Sequence, residues 1–286
     1  MPTNREIFFS LLNKKNQYLT RLVIKSLLND VNEIFDDISL YKKFDEDCKN
    51  YDLLVSYVER VEQGEPYQYV LGYANFIDKI YFVDKNVLIP RQETEELVIR
   101  MRKYIEKYYL NKDFIMADVC TGSGVIGISL NKYFPKAKVY ASDIDEKCLE
   151  IAIKNDKIIN NSNITFLQGN LLEPFIEKGI KIDVLVCNPP YIADESTVAE
   201  QTLEYEPHLA LFANPNTKYY EEIFKSASRV MNDNFIMGFE IGEDMEDSLS
   251  ILVENYFPNA AYIIAKDMYK KTRFLFIINR EDMNYA

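Results

Sequence analysis

The chain has one histidine, His208, and four cysteines, Cys48, Cys120, Cys148 and Cys187, with no CxxC spacing among them. A transition-metal centre draws on clustered His, Cys and acidic side chains. Little material for one is present, and many metallohydrolase chemistries fall away with it. The scattered thiols argue against a disulfide framework and fit a reducing cytoplasm. No apolar run approaches the roughly 20 residues that a membrane span needs. The opening MPTNREIFFS lacks the basic-then-apolar order of a secretory signal, so neither membrane insertion nor export is expected. Cations are the scarcer charge, 33 Lys plus Arg against 45 Asp plus Glu, for a net charge of -12. Binding nucleic acid through its phosphates needs clustered cations. No direct nucleic-acid substrate is expected, although a local basic groove stays open.

What is present is a globular composition. Of 286 residues 48% are hydrophobic, and 21 Tyr and 17 Phe are spread through the chain, which excludes low-complexity disorder. Up to residue 66 the spacing predicts a small helical bundle. Leu19, Leu22, Val23, Leu27 and Leu28 fall near helical intervals, as do Leu53, Leu54, Tyr57, Val58 and Val61, with Gly64 and Pro66 as stops. Residues 67–90 are rich in aromatic and β-branched side chains and punctuated by Gly72, Asp78 and Asp84. They predict a β-hairpin linking two domains. A helix then begins after Pro90, with Glu93, Glu95 and Glu96 early and Arg100, Arg102 and Lys103 later, as the helix dipole favours.

From residue 114 strands and helices alternate. Candidate strands are Ile115–Cys120, Lys138–Asp143, Ile164–Gln168, Ile182–Cys187, Phe235–Ile241, Ala261–Lys266 and Arg273–Asn279. The pattern predicts a doubly wound α/β domain over 91–286, five parallel strands followed by an antiparallel pair. The connection between the last two is too short for a parallel crossover.

The first strand runs into Cys120-Thr-Gly-Ser-Gly124, and Gly122, Gly124 and Gly127 satisfy GxGxxG. Such a turn allows close backbone approach at a helix N-terminus. Asp143 closes the next strand about 20 residues on, where an acid accepts from ribose hydroxyls. An adenosine-bearing cofactor is expected, and this signal alone does not separate nicotinamide from S-adenosylmethionine. After the third strand Asn170 could reach an adenine amine and Leu171 could pack on the ring, although a plain turn is an equal reading.

The fourth strand ends in Asn188-Pro-Pro-Tyr191. Two prolines stiffen the chain at the strand's carboxyl end, where open α/β sheets carry their sites. The Asn188 side-chain carbonyl and the Pro189 backbone carbonyl can accept both protons of an NH2 group, and Tyr191 offers a flat face for the group that bears it. That arrangement suits methylation of a planar amide or an exocyclic base amine, whose lone pair is delocalised and needs aiming.

With these motifs on the page, the chain resembles the bacterial peptide chain release factor glutamine methyltransferases, the PrmC/HemK family. The resemblance runs from about Glu65 to Phe276 through EPYQYVLG (65–72), VLIPRQETEELV (87–98), CTGSG (120–124), NPPYI (188–192), EPHLALF (206–212), FEIG (239–242) and KDMYKKTRFL (266–275). It implies a seven-stranded class I S-adenosylmethionine-dependent methyltransferase domain, Rossmann-like, behind an N-terminal helical domain that helps dock a class 1 release factor. It implies methyl transfer to the side-chain nitrogen of the glutamine in the factor's GGQ loop, with S-adenosylhomocysteine as product. Cys120, Thr121, Gly122, Ser123, Gly124, Asp143, Asn170, Leu171 and Asn188 would hold the cofactor. Asn188, Pro189, Pro190 and Tyr191 would form the substrate pocket. A similar family that modifies a ribosomal protein differs around Pro90-Arg-Gln-Glu-Thr-Glu95. Departures include Gln92 where a second proline is usual, Asn170 in place of an acid, Leu171 where some members carry an aromatic, and Asn214–Thr217 in place of a glycine-rich step.

The main alternative is a nucleic-acid amine methyltransferase, which would share NPPY. A nicotinamide oxidoreductase has only the glycine turn in its favour, and a non-catalytic module conflicts with the intact NPPY. His208 is read as structural, Tyr205 and Glu206 as shaping a lid, and Lys270, Lys271 and Arg273 as a solvated strand connection.

Overall fold

The computed structural model describes residues 1–34, 36–159 and 164–280. The chain forms two compact units, Met1–Tyr73 with Ala199–Tyr205, and Ala74–Val198 with Glu206–Ala286.

The first unit is helical: α1 (Asn4–Asn13), α2 (Arg21–Val31), α3 (Asp37–Lys42), α4 (Tyr51–Glu62) and α5 (Tyr67–Leu71). Side chains of Thr3, Thr20, Asp36 and Asn50 cap the first four by accepting from backbone N–H groups, which satisfies donors that a helix start leaves free. Ile24, Leu27, Leu28, Leu40 and Leu54 close its core, whereas Leu22 points outward at 62% exposure.

The structure differs from expectation at Tyr67–Leu71, which is helical rather than extended. Pro66 stands at its N-terminus and Gly72, in the left-handed region at φ 79°, ends it. Val70 joins the helical core and Tyr69 is also buried. Punctuation at both ends and burial of one face outweigh the extended preference of aromatic and β-branched residues. The hairpin is confined to β1 (Tyr73–Phe76) and β2 (Lys79–Phe82), joined through Ile77 and Asp78, both at positive φ as a two-residue hairpin turn requires.

The second unit continues with α6 (Gln92–Tyr109), β3 (Phe114–Val119), α7 (Val125–Tyr133), β4 (Ala137–Asp143), α8 (Glu146–Ile159), β5 (Thr165–Gln168), α9 (Glu173–Glu177) and β6 (Ile182–Cys187). After α10 (Glu200–Tyr205), which belongs to the first unit, come α11 (Lys218–Val230), β7 (Met231–Glu240), α12 (Glu246–Tyr256), β8 (Ala261–Lys266) and β9 (Thr272–Asn279).

The sheet has seven strands in the order β5-β4-β3-β6-β7-β9-β8. The first five are parallel, and β9 is antiparallel to both neighbours. Both expectations hold, and β9 lies between β7 and β8. Alternate residues of β6 are buried on opposite faces, Val184 and Val186 in one core, Leu185 and Cys187 in the other. A strand covered on both faces reads as a continuous apolar run for this reason. The carboxyl ends of β3, β4, β5 and β6 share one edge, and their loops build the site. Among the described residues no helix is long and apolar enough to cross a membrane.

Candidate active site

The loop after β3 is held from below by Asp118. Its Oδ2 accepts from the Thr121 hydroxyl at 2.6 Å and from the Gly127 N–H at 2.8 Å. Oδ1 is buried with no partner among the described residues. Burial, opposed in part by those two hydrogen bonds, pushes the Asp118 carboxyl up to about 7. Above this staple Gly122 (φ 53°) and Gly124 (φ 84°) take left-handed conformations. They do so for different reasons. A Cβ on Gly124 would lie 2.8 Å from Ile128 Cδ1 and 3.1 Å from Ala152 Cβ, so the loop must pass close to α7 and α8. A Cβ on Gly122 would meet nothing within 4 Å, because it faces the open cleft.

Asp143, at the end of β4, accepts from the Gly122 N–H at 2.9 Å through Oδ2 and from the Asp145 N–H at 3.1 Å through Oδ1. Burial raises its pKa, and these hydrogen bonds pull it back. A carboxylate has about four lone-pair sites, so the two bonds leave acceptor capacity for a ribose. The cleft, about 1050 Å³ including its mouth, is lined by Cys120, Thr121, Gly122, Ser123, Asp143, Asn170, Leu171 and Asn188. Ile144, half exposed just after the acid, and Pro190 line it as well. An acid with spare acceptor capacity, an unobstructed glycine and apolar walls at Ile144 and Leu171 are what an adenosine-bearing cofactor would need.

Not every residue expected at the site lines this cleft. Gly124 packs against α7 and α8, and Pro189 and Tyr191 lie outside the lining. Tyr191 packs on the core beneath α11 and α12, and its hydroxyl enters a polar chain. In that chain Arg273 Nη1 donates to Tyr191 Oη at 3.3 Å, and Tyr191 Oη donates to Glu240 Oε1 at 3.2 Å. From the other side Asn188 Nδ2 donates to Thr94 Oγ1 at 3.2 Å, and Thr94 Oγ1 donates to Glu240 Oε2 at 2.7 Å. Burial raises the Glu240 carboxyl, while the Thr94 hydrogen bond and the Arg273 charge oppose that. Burial beside Glu240 also holds the Tyr191 phenol protonated.

Arg273 corrects the sequence reading. Its side chain is only 14% exposed, bonded also to the Ile241 carbonyl and Asp267, while Lys270 and Lys271 are solvated. Thr94 and Glu240 had no role in that reading either. They sit 94 residues before and 52 after Asn188 (240 − 188), and the one signal was their place inside PRQETE and FEIG.

A strap follows NPPY. Ile192 and Phe212 form a parallel bridge, with Ile192 N–H donating to the Leu211 carbonyl at 3.0 Å, so the intervening chain leaves and returns at one point. Glu206 anchors it, accepting from Ile89 N–H at 3.0 Å and Arg91 at 2.5 Å. Pro207, Leu209 and Ala210 thereby line the cleft. His208 is exposed, its ring edge-on to Phe212 at 5.3 Å. Tyr205 belongs with the helical unit, where its hydroxyl donates to the Gln63 carbonyl at 3.2 Å. Burial raises the Cys187 thiol well above its usual value, which suits a core filler rather than a nucleophile.

The family described as "Methyltransferase small domain" matches residues 104–234. The chain is 34% identical over 223 residues to the release factor glutamine methyltransferase of Bacillus anthracis, covering 77% of this chain and 78% of that protein. It is 36% identical to the enzyme of the same name from Staphylococcus aureus, covering 74% and 75%. The Flavobacterium psychrophilum enzyme of that name is 37% identical, covering 76% of each. Among solved structures the hMettl16 catalytic domain superposes with a TM-score of 0.56 at 14% identity, covering 82% of this chain and 84% of that one, which shows the fold alone.

Proposed function

The chain belongs to the release factor glutamine methyltransferases, and from that premise we propose that it methylates the side-chain amide nitrogen of the glutamine in the GGQ motif of class 1 peptide chain release factors. The observation that carries the reading is that Asn188 lines the same cleft as Cys120–Ser123 and Asp143. The amide acceptor and the cofactor turn thus share one space.

S-adenosylmethionine, when bound, supplies an electrophilic methyl group on a sulfonium and leaves as S-adenosylhomocysteine. Cys120 to Ser123, Asp143, Asn170 and Leu171 would hold it, with Gly124 setting the turn from behind. This chain's part is orientation. Asn188 Oδ1, which faces the cleft, takes one amide proton, and the Pro189 carbonyl, next to the lining rather than part of it, would take the other, which turns the nitrogen lone pair toward the methyl carbon and stabilises the positive charge that grows on nitrogen. Tyr191, packed on the core and fixed through its hydroxyl, stiffens the segment that carries Asn188 and Pro190. After transfer the cationic amide nitrogen is strongly acidic and would give up one proton to solvent water, so no side-chain base is needed. The helical unit is assigned to release factor docking. A role in translation termination, together with four free thiols, fits a cytoplasmic enzyme.

The test is label transfer from methyl-labelled S-adenosylmethionine to the cognate release factor and to a factor whose GGQ glutamine is replaced by alanine. Labelling of the first and not the second is expected. Labelling of both, or of RNA or DNA instead, would overturn the reading.

A further inference from the structure

We infer that Thr94 and Glu240 form a positioning relay that decides which end of the Asn188 carboxamide faces the substrate. The inference rests on the amide-methylation reading above and names residues for the same site.

A carboxamide is nearly symmetric in shape but opposite in chemistry at its two ends, oxygen accepting and nitrogen donating. Turned the wrong way, Asn188 would present NH2 to a substrate NH2, and transfer would lose its acceptor. Something must therefore distinguish the ends. Thr94 has one hydroxyl proton, and it is committed to Glu240 Oε2 at 2.7 Å. An ionised carboxylate only accepts, so this proton cannot be redirected while Glu240 is charged. What Thr94 has left for Asn188 is a lone pair, and it takes Nδ2 at 3.2 Å. Oδ1 is then the end left for the cleft.

The same carboxylate receives the Tyr191 hydroxyl on its other oxygen, and Arg273 donates into that hydroxyl. Glu240 therefore sets both polar members of NPPY. Thr94 borders the cleft beside Asn188 but is only 4% exposed, and Glu240 is 2% exposed, so water competes little for these bonds. The Tyr220 hydroxyl holds the Glu240 backbone carbonyl at 2.6 Å, which fixes the strand end that carries the carboxylate.

The test compares Thr94→Val, which keeps shape and loses the hydroxyl, with Thr94→Ser, which keeps the hydroxyl. Thr94→Val should lower kcat at least about tenfold while the dissociation constant for S-adenosylmethionine and KM for the release factor move less than about threefold. Thr94→Ser should return kcat to within about threefold of the unsubstituted protein. Because Thr94 acts through Asn188, Thr94→Val combined with Asn188→Ala should be no worse than Asn188→Ala within about twofold. A Thr94→Val kcat near that of the unsubstituted protein, or losses that multiply in the double variant, overturns the relay.

One measurement needs neither variant nor substrate. By 15N NMR an Asn188 side-chain amide hydrogen should exchange at least about tenfold more slowly than that of a free asparagine, and an unprotected one overturns the relay even if Thr94→Val does not fold. If the unsubstituted protein labels no release factor while this protection is present, the substrate assignment falls and the relay stands.

Discussion

Arg91 and Glu206 stand 115 residues apart in sequence and meet at 2.5 Å, joining the segment before α6 to the strap that follows NPPY. The partners are unequal, since the Glu206 side chain is 2% exposed and that of Arg91 34%. Glu206 also accepts from the buried Ile89 N–H, so its removal strands a backbone donor as well as a cation. Glu206→Ala should cost about 2–4 kcal/mol of stability, and Arg91→Ala less than half of that, because a partly exposed pair is screened by water. Chemical denaturation of both variants checks the ratio. Cofactor affinity should fall with Glu206→Ala, since Pro207 and Leu209 line the cleft.

Asn188→Ala separates binding from turnover. The dissociation constant for S-adenosylmethionine should rise no more than about tenfold, a loss of about 1.4 kcal/mol. Turnover should drop by about 100-fold or more, because the lost acceptor acts where charge develops. Calorimetry and single-turnover labelling give the two numbers, and equal losses would count against an orienting role.

The glycines of the cofactor turn should fail in different ways. Gly124→Ala drives a methyl into Ile128 and Ala152 and should destabilise the fold by about 1–3 kcal/mol. Gly122→Ala places its methyl in open space, so the fold should lose only about 1 kcal/mol for the left-handed backbone. Cofactor affinity should nevertheless fall at least about tenfold in Gly122→Ala, since the methyl occupies the ligand's side of the turn. Melting temperatures with and without cofactor distinguish the two.

Asp118 makes stability depend on pH in an unusual direction for a carboxyl group. Its pKa is raised from 3.8 to about 7, so between those values the folded chain holds a proton that the unfolded chain has released. This group's contribution to stability therefore falls as pH rises through that window and levels off above it. The stability of the unsubstituted protein minus that of Asp118→Asn should decrease by about 2 kcal/mol between pH 5 and pH 8. A difference that is flat or rises with pH, measured by denaturant titration, would show that Asp118 is ionised throughout.

What could be read from the chain and what could not follow the range of the interactions. β6 and the NPPY that ends it were legible because burial on both faces writes a continuous apolar run, and two prolines cannot extend a central strand. The glycine turn after β3 and the end of β4 at Asp143 were legible because closely spaced glycines and a short apolar strand are local signals. Tyr67–Leu71 is not legible from residue preference, because Pro66 and Gly72, the punctuation at its ends, govern so short a segment. Thr94, Glu240 and Arg273 were illegible as a group. Each is unremarkable in its own neighbourhood, and only the packing of α6, β7 and β9 brings them to Asn188 and Tyr191.

The crossing of the chain at Ala199–Tyr205 bears on how this protein can be taken apart. Gln201 donates to the Gly64 carbonyl at 2.8 Å, so this piece is part of the helical unit although it is encoded far downstream. No single scission separates the two bodies. A fragment starting at Ala74 would carry a stray helix stripped of its mates, and one ending at Tyr73 would lack a helix of its own unit. Domain grafting that keeps the helical unit whole must therefore exchange both stretches together.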